Sequence, residues 1–206
     1  PVWTTTFNNV AVSPVAHYRD CSNLGGASAR YGYGVLVYDV TGLLAKGENT
    51  FVLEKESGLT AVYPSTLVAL YNVTESETMK TIYMYNGADL LYNNYNFLGR
   101  AVESNSILGI DSINYVIDAN MYVFAASAQA NEGNLIVNDQ TYENIWAGTS
   151  NSTDAYIVNL GTAPSSSYEV SFVSTGGTIV ALQQFIVVES KAPKSAADLQ
   201  KLIDEA

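Results

Sequence analysis

One five-residue segment of this chain occurs twice. Residues 66–70 read Thr-Leu-Val-Ala-Leu, and residues 178–182 read Thr-Ile-Val-Ala-Leu, at an offset of 178 − 66 = 112. Two further pairs precede it in the same order: residues 38–40 correspond to 156–158 (156 − 38 = 118), and residues 7–10 correspond to 137–140 (137 − 7 = 130). Because the offset shrinks along the chain, the first copy has the longer loops. The sequence therefore predicts an internal duplication.

The second copy contains an apolar stretch for which the first copy has no counterpart. Residues 121–127 precede the Asn138-Asp139 turn, and their equivalents at an offset of 130 would fall before residue 1. We therefore expect the first copy to lack a strand and to present an open sheet edge, which is a template for another strand. Either upstream residues of the same polypeptide fill this edge or a neighbouring subunit does so by strand addition, and we expect the second.

Composition indicates an ordered all-β protein. Only 14% of the 206 residues are charged and 48% are hydrophobic, with many Tyr, Val, Asn, Ser, Thr and Gly residues. We predict two related antiparallel β-sandwich halves, residues 1–106 and 107–190. Residues 191–206 are predicted to form a linker and a short amphipathic C-terminal helix, with Leu199, Leu202 and Ile203 on one face.

Short strands separated by turn residues are predicted along both halves. Asn8-Asn9 and Asn138-Asp139 are each predicted to close a two-residue hairpin, because Asn tolerates positive φ. Residues 80–91 are predicted to form another hairpin, with Asn86-Gly87 as a type I′ turn. The near-continuous apolar runs at 66–70 and 178–182 indicate central strands covered on both faces.

Charge and hydropathy argue against nucleic-acid binding and against a membrane-spanning segment. The net charge is −11, and the nine basic residues are scattered without a patch, so nucleic-acid binding is not expected. No run reaches the roughly 18 apolar residues of a membrane span. Since the chain begins with Pro1, we expect a processed or trimmed product from which any signal peptide or anchor is absent.

The residue types that acid–base or metal chemistry needs are scarce. His17 is the only histidine and Cys21 the only cysteine, four residues apart on what we expect to be a loop. We expect local packing and hydrogen bonding, of His17 with Asp20, rather than a nucleophilic or zinc-binding role. No catalytic residue, cofactor site or metal site is predicted, and the protein is not expected to be an enzyme. Calcium remains open as a loosely bound ion, with Asp111 and Asp118 or residues 131–134 as candidate ligands.

Two kinds of surface residue are candidates for modification or binding. Asn72 and Asn151 each begin an Asn-X-Thr sequence and are candidate glycosylation sites. Tyr92 and Tyr95 lie among asparagines and can either stack on sugars or act as loop anchors and interface residues.

Several strings resemble an uncharacterised domain family of methanogenic archaea. They are residues 30–35 (Arg-Tyr-Gly-Tyr-Gly-Val) with 38–41, 85–91 (Tyr-Asn-Gly-Ala-Asp-Leu-Leu), 102–106, 132–138 and 181–184. The resemblance covers residues 3–189. It implies an exported cell-surface protein of the adhesin-like, envelope or sheath type, and it carries no site residues.

Together these features predict an extracellular structural subunit of an archaeal surface layer, sheath or filament. Its expected partners are copies of itself or neighbouring envelope proteins. The alternative is an adhesin-type carbohydrate-binding module, which would bind glycans in an aromatic groove.

Overall fold

The computed structural model describes residues 2–20, 33–58, 62–71, 76–93, 102–149 and 152–191. Within them the regular structure is β-strand, apart from a 3-10 turn at Thr41–Leu43. The strands are β1 (Val2–Phe7), β2 (Val10–Ala11), β3 (Ala16–Asp20), β4 (Tyr33–Val37), β5 (Phe51–Ser57), β6 (Thr78–Tyr85), β7 (Asp89–Tyr92), β8 (Glu103–Gly109), β9 (Val116–Ala126), β10 (Gly133–Val137), β11 (Gln140–Tyr142), β12 (Thr153–Asn159), β13 (Ser167–Ser174) and β14 (Thr178–Lys191).

The all-β class predicted from composition is confirmed. None of the described ranges contains a helix long and apolar enough to span a membrane. The predicted C-terminal helix, with Leu199, Leu202 and Ile203, lies outside the described residues.

All the paired strands run antiparallel. One sheet has the order β11-β10-β13-β8, and another has the order β12-β9-β14, with β6 and β7 both on the far side of β14. A smaller sheet has the order β2-β1-β5, and β3 pairs with β4.

The two larger sheets share one core and form a sandwich. Burial alternates along β9, where Ala119, Met121, Val123 and Ala125 are fully buried. The cluster to which they belong also takes side chains from the opposite sheet: Leu108, Leu135, Val137, Val170 and Phe172. Fully burying one such aliphatic or aromatic side chain contributes about 1.5–3 kcal/mol. The apolar stretch 121–127 lies mostly in β9, which pairs beside the Ala181 strand, with Ala125 opposite Ala181.

Both predicted asparagine turns close hairpins. Phe7 pairs with Val10 across Asn8-Asn9, and Val137 pairs with Gln140 across the second turn. Asn8 and Asn138 have φ values of 49° and 51°, in the left-handed region that Asn tolerates. The residue before each turn also pairs with a third strand, Phe7 with Phe51 of β5 and Val137 with Val170 of β13.

The two turns also bond to their third strands in the same way. The Asn8 amide donates to Thr50 O at 2.8 Å, and the Thr50 amide donates to Asn8 Oδ1 at 2.8 Å. The Asn138 amide donates to Glu169 O at 2.7 Å, and the Glu169 amide donates to Asn138 Oδ1 at 3.0 Å. The sheets β2-β1-β5 and β11-β10-β13 therefore repeat one arrangement down to a side-chain contact.

The predicted hairpin at residues 80–91 is wrong. Strands β6 and β7 do not pair with each other but follow one another along the same edge of β14. Neither Asn86 nor Gly87 has the positive φ that a type I′ turn requires. The 14 residues of β14 are long enough to pair with both segments, so residues 86–88 join them without reversing the chain.

Strand pairing also crosses the expected division of the chain. Strand β8 runs through the boundary predicted between residues 106 and 107, and β6 and β7 pair with β14 of the second half. The division into halves at 1–106 and 107–190 stays a prediction, but the sheets are not separated at that point.

Candidate functional site

The second copy of the repeated segment is a central strand, as predicted. Residues 178–182 lie in β14, which pairs with β9 on one side and with β7 on the other. Ile179 and Val180 are almost completely buried. Neighbouring strands therefore satisfy the backbone of this segment, and the sandwich covers its side chains.

The first copy of the segment is not a strand, so the prediction of a central strand is wrong there. Residues 66–70 lie within residues 62–71, which we call the open segment and which has no regular secondary structure. Leu67, Val68 and Leu70 are 53%, 42% and 61% exposed. Consecutive exposed apolar residues of this kind commonly mark a surface that binds a partner.

Hydrogen bonding explains why the same sequence has two environments. Among the residues that the structure describes, none forms a backbone–backbone hydrogen bond with residues 66–70. Nearby, Thr153 Oγ1 donates to Pro64 O at 3.4 Å. In the second copy β7 pairs with residues 178–181 and β9 pairs with residues 180 and 181. The open segment is exposed because none of the described residues provides an equivalent of β9 beside it.

The strands next to Tyr38 and Tyr156 differ in their partners. In the second copy β12, which contains Tyr156, pairs with β9. In the first copy β4 leads into the corresponding tyrosine, Tyr38, and β4 pairs with β3. The Tyr38 ring packs on Phe51 of β5 and the Tyr156 ring on Tyr142 of β11, both with ring centroids 5.7 Å apart. The first copy therefore keeps the tyrosine contact of the second copy, while the strand beside it has a different partner.

The open segment differs in charge from the rest of the chain. Its sequence, Val-Tyr-Pro-Ser-Thr-Leu-Val-Ala-Leu-Tyr, contains no charged residue, whereas the whole chain has a net charge of −11. Two acidic molecules repel one another least where their surfaces are neutral. This stretch is therefore suited to an apolar contact.

A cavity of about 410 Å³ lies beside the open segment. Tyr33, Tyr63 and Tyr92 line it, with a polar wall that includes Gln129 and Glu132. The Glu132 carboxylate accepts hydrogen bonds from Gln129 N at 3.0 Å and Gln129 Nε2 at 3.1 Å. Aromatic rings beside fixed carboxylate and amide groups can contact the faces and hydroxyls of a sugar. Of the two tyrosines singled out from the sequence, Tyr92 lines this cavity and Tyr95 lies outside the described residues.

Two aspartates connect β3 to β7. Asp20 Oδ2 accepts a hydrogen bond from the Leu90 amide at 2.8 Å. Burial raises the pKa of Asp89, and the neighbouring Asp20 raises it further, while a hydrogen bond with Ser104 acts in the opposite direction. The ionised form of Asp89 is therefore disfavoured in the folded protein relative to the unfolded chain.

This shift predicts a pH-dependent effect of Asp89→Asn. A carboxyl whose folded pKa is raised costs nothing below its usual pKa of 3.8, and it destabilises increasingly as pH rises through the folded value. We expect Asp89→Asn to raise the melting temperature more at pH 7 than at pH 3, which thermal unfolding at both pH values will measure.

Asp39 provides a control of opposite sign. Hydrogen bonds from Thr41 lower the pKa of Asp39, so its contribution to stability is present at neutral pH and is lost as pH falls through the lowered value. Asp39→Asn should therefore lower the melting temperature at pH 7 and have less effect at pH 3. An Asp89→Asn protein that gained no stability at pH 7 would contradict the assignment.

The remaining residues singled out from the sequence are not brought together. His17 lies exposed on β3 rather than on a loop, and Asp20, expected to bond to it, bonds to the Leu90 amide instead. Cys21, Asn72 and Asn151 lie outside the described residues.

Calcium binding stays a prediction, and two of its candidate ligands have local hydrogen-bond partners. Asp118 accepts a hydrogen bond from Asn120 Nδ2 at 2.6 Å, and Glu132 is held by Gln129. In the part of the chain that the structure describes, no group of three or more His, Cys, Asp or Glu residues is placed to hold a metal ion.

Sequence reasoning predicted a missing strand in the first copy but not the exposed surface of residues 66–70. It expected residues 66–70 to be buried, and it did not group Tyr33 and Tyr63 with Tyr92. The available signal was the repeat itself, because a segment whose partner strand has no counterpart cannot be buried as its copy is.

Comparison with known proteins gives a family but no activity. No curated protein matches the chain. A family model described as a protein of unknown function matches residues 1–189, nearly the whole chain. The chain therefore belongs to the DUF3344 family.

Proposed function

We propose that this protein is an extracellular structural subunit of an archaeal surface layer, sheath or filament, and that it assembles by β-strand addition. Its partners are copies of itself or neighbouring envelope proteins. The proposal assigns the chain no catalytic activity and no cofactor.

The exposure of the open segment is the observation that carries this proposal. Residues 66–70 form no backbone–backbone hydrogen bond with the described residues and present uncharged apolar side chains, the combination with which sheet edges recruit another strand. Its repeat copy in β14 is buried between two strands, which illustrates what the same sequence does when partners are present.

Strand addition of this kind propagates. An acceptor on the first copy that binds a strand donated from elsewhere makes a contact between two different patches. A contact between different patches continues into a filament or sheet unless its rotation closes a ring. An assembly of this kind would serve a mechanical role, which is the role that we propose.

Electron microscopy of the purified chain tests this function. We expect filaments or sheets, and we expect Leu67→Lys to raise the protein concentration at which they form by about tenfold or more, because burying an unpaired ammonium group costs more than about 1.4 kcal/mol. Ile157→Lys is the matched control, since Ile157 is also 53% exposed and its strand, β12, already pairs with β9.

Two results would count against assembly through the open segment. Discrete monomers at every concentration would contradict the structural role. Equal effects of Leu67→Lys and Ile157→Lys would show that assembly depends on general surface hydrophobicity.

A carbohydrate-binding module of an adhesin is the second candidate function. The cavity lined by Tyr33, Tyr63 and Tyr92 favours it. Glycan binding that Tyr92→Ala abolishes, with the fold intact, would support this candidate. If that glycan binding required calcium, the calcium ion would be a second ligand of the protein.

A further inference from the structure

We infer that the open segment accepts a strand with the alternating pattern of β9, donated by a neighbouring polypeptide and running antiparallel to residues 66–70. This inference rests on the proposed assembly function and specifies its partner. The second copy of the repeat supports it, because there the same place is filled.

The register of the donated strand follows from β14. Ala125 and Ala126 of β9 lie opposite Ala181 and Val180. Subtracting the offset of 112 from those two β14 positions gives Ala69 and Val68. The donor should therefore place the counterparts of its last two β9 positions opposite Ala69 and Val68, at the centre of the exposed run.

The composition of the donated strand follows from β9. Its alternate residues Ala119, Met121, Val123 and Ala125 are fully buried, while the residues between them are partly exposed. The strand must also be uncharged at its centre, because the acceptor offers no charged side chain to pair with one. These requirements describe an extended segment of about nine to eleven residues with small and medium apolar side chains on one face.

A folded second copy cannot donate its own β9. That strand pairs with β12 along one edge and β14 along the other, and its core-facing residues are fully buried. The donor is therefore an extended segment that is not engaged in a sheet of its own. None of residues 62–71 has a positive φ, so the acceptor needs no reversal of its backbone to pair.

A synthetic strand tests the inference directly. The probe is a peptide with the sequence of residues 116–126, flanked by lysines for solubility, mixed with the full chain. Amide hydrogen exchange should slow at residues 66–70 on binding, by about tenfold or more at saturation. A control peptide with proline at the position of Val123 cannot continue the ladder and should give no protection.

The substitution Val68→Pro tests whether residues 66–70 are the segment that binds the peptide. Val68 is exposed and lies outside regular structure, so the melting temperature should be unchanged. Proline removes the amide that the donor would bond, and peptide affinity should fall by about tenfold or more. Peptide binding that Val68→Pro leaves unchanged, or protection confined to another sheet edge, would overturn the inference.

The outcomes separate this inference from the proposed function. Filaments that form normally while the peptide fails to bind would overturn the strand acceptor and leave the structural role standing. Peptide protection of residues 66–70 in a chain that never assembles would support the acceptor and contradict the structural role. A third outcome concerns the chain without peptide. If the amides of residues 66–70 are already protected from hydrogen exchange in dilute monomer, another part of the same chain pairs with them, and the inference is overturned.

Discussion

Replacing Trp146 by alanine is expected to lower the free energy of unfolding by about 3–5 kcal/mol, the range for deleting a large buried aromatic side chain. Trp146 is 1% exposed. Its ring stacks on Phe172 of β13 with centroids 6.0 Å apart and planes 8° apart. Alanine would leave a cavity in the main core, where the surrounding strands are held by their ladders and cannot collapse onto it.

Chemical denaturation of both proteins measures this effect. A loss of this size should also lower the melting temperature by roughly 6–20 °C in a chain of this length. Tyr115→Ala serves as the control, because it removes an exposed aromatic ring and should change stability by no more than about 0.5 kcal/mol.

The substitution Trp146→Phe separates the effect of losing the packed ring from the effect of losing the buried Nε1–H group. Within the described residues Trp146 Nε1 is buried without a hydrogen-bond partner, a condition that costs about 1–3 kcal/mol. Phenylalanine removes that donor and keeps a ring on Phe172, so it should cost much less than alanine. A Trp146→Phe protein as unstable as Trp146→Ala would show that Nε1 has a partner.

Local turn chemistry was predictable from the sequence. Asn8 and Asn138 adopt left-handed φ in two-residue turns because their side chains tolerate it and bond to the neighbouring strand. The apolar run at residues 121–127 was also sufficient to place most of β9. In each case the deciding interactions lie within or next to the segment.

Pairing over long distances was not predictable. The sequence around His17 favours a loop, yet residues 16–20 form β3 because β4 pairs with them. Residues 80–91 contain a strong hairpin signal, yet they extend along β14, which lies about 100 residues later in the chain. Pairing with a long partner strand, which supplies a continuous row of backbone hydrogen bonds, overrides the local preference of a segment for a turn or loop.

The open segment shows most clearly that local sequence does not determine which strands pair over long distances. Residues 66–70 and 178–182 differ at one position, Leu67 against Ile179, and the sequence of each predicts a buried strand. One is buried and the other is exposed, because burial depends on β9, for which the described residues of the first copy hold no equivalent. The tyrosine-lined cavity was missed for a similar reason, since Tyr33, Tyr63 and Tyr92 come from separate parts of the chain.

Replacing Gly133 by alanine is expected to destabilise the protein by about 1–3 kcal/mol or more, the cost of overpacking a tight core. Gly133 begins β10 and is buried. A Cβ at this position would lie closer than 3.0 Å to both Ile179 Cδ1 and the carbonyl oxygen of Val173. The Ile179 side chain is fully buried and has little room to move.

The Val173 oxygen cannot move away either. It belongs to β13, and Val173 lies opposite Asn134 of β10 and Glu103 of β8. Relief of the clash would therefore require β10 to separate from β13, which breaks ladder hydrogen bonds. The expected result is a loss of stability with weakened amide protection along β10 and β13, measured by denaturation and hydrogen exchange.

Gly109→Ala is the matched control, because Gly109 is also a strand glycine but nothing lies within 4 Å of the point that a Cβ would occupy. Its φ is not positive, so alanine fits the backbone. This change should stabilise the protein by about 0.4–1 kcal/mol by restricting the unfolded chain. If Gly133→Ala lowers the free energy of unfolding while Gly109→Ala raises it, then close strand packing at β10, rather than glycine content, limits stability. If Gly133→Ala were as harmless as Gly109→Ala, β10 would have to be free to shift away from β13, and the close packing of Gly133 would not limit stability.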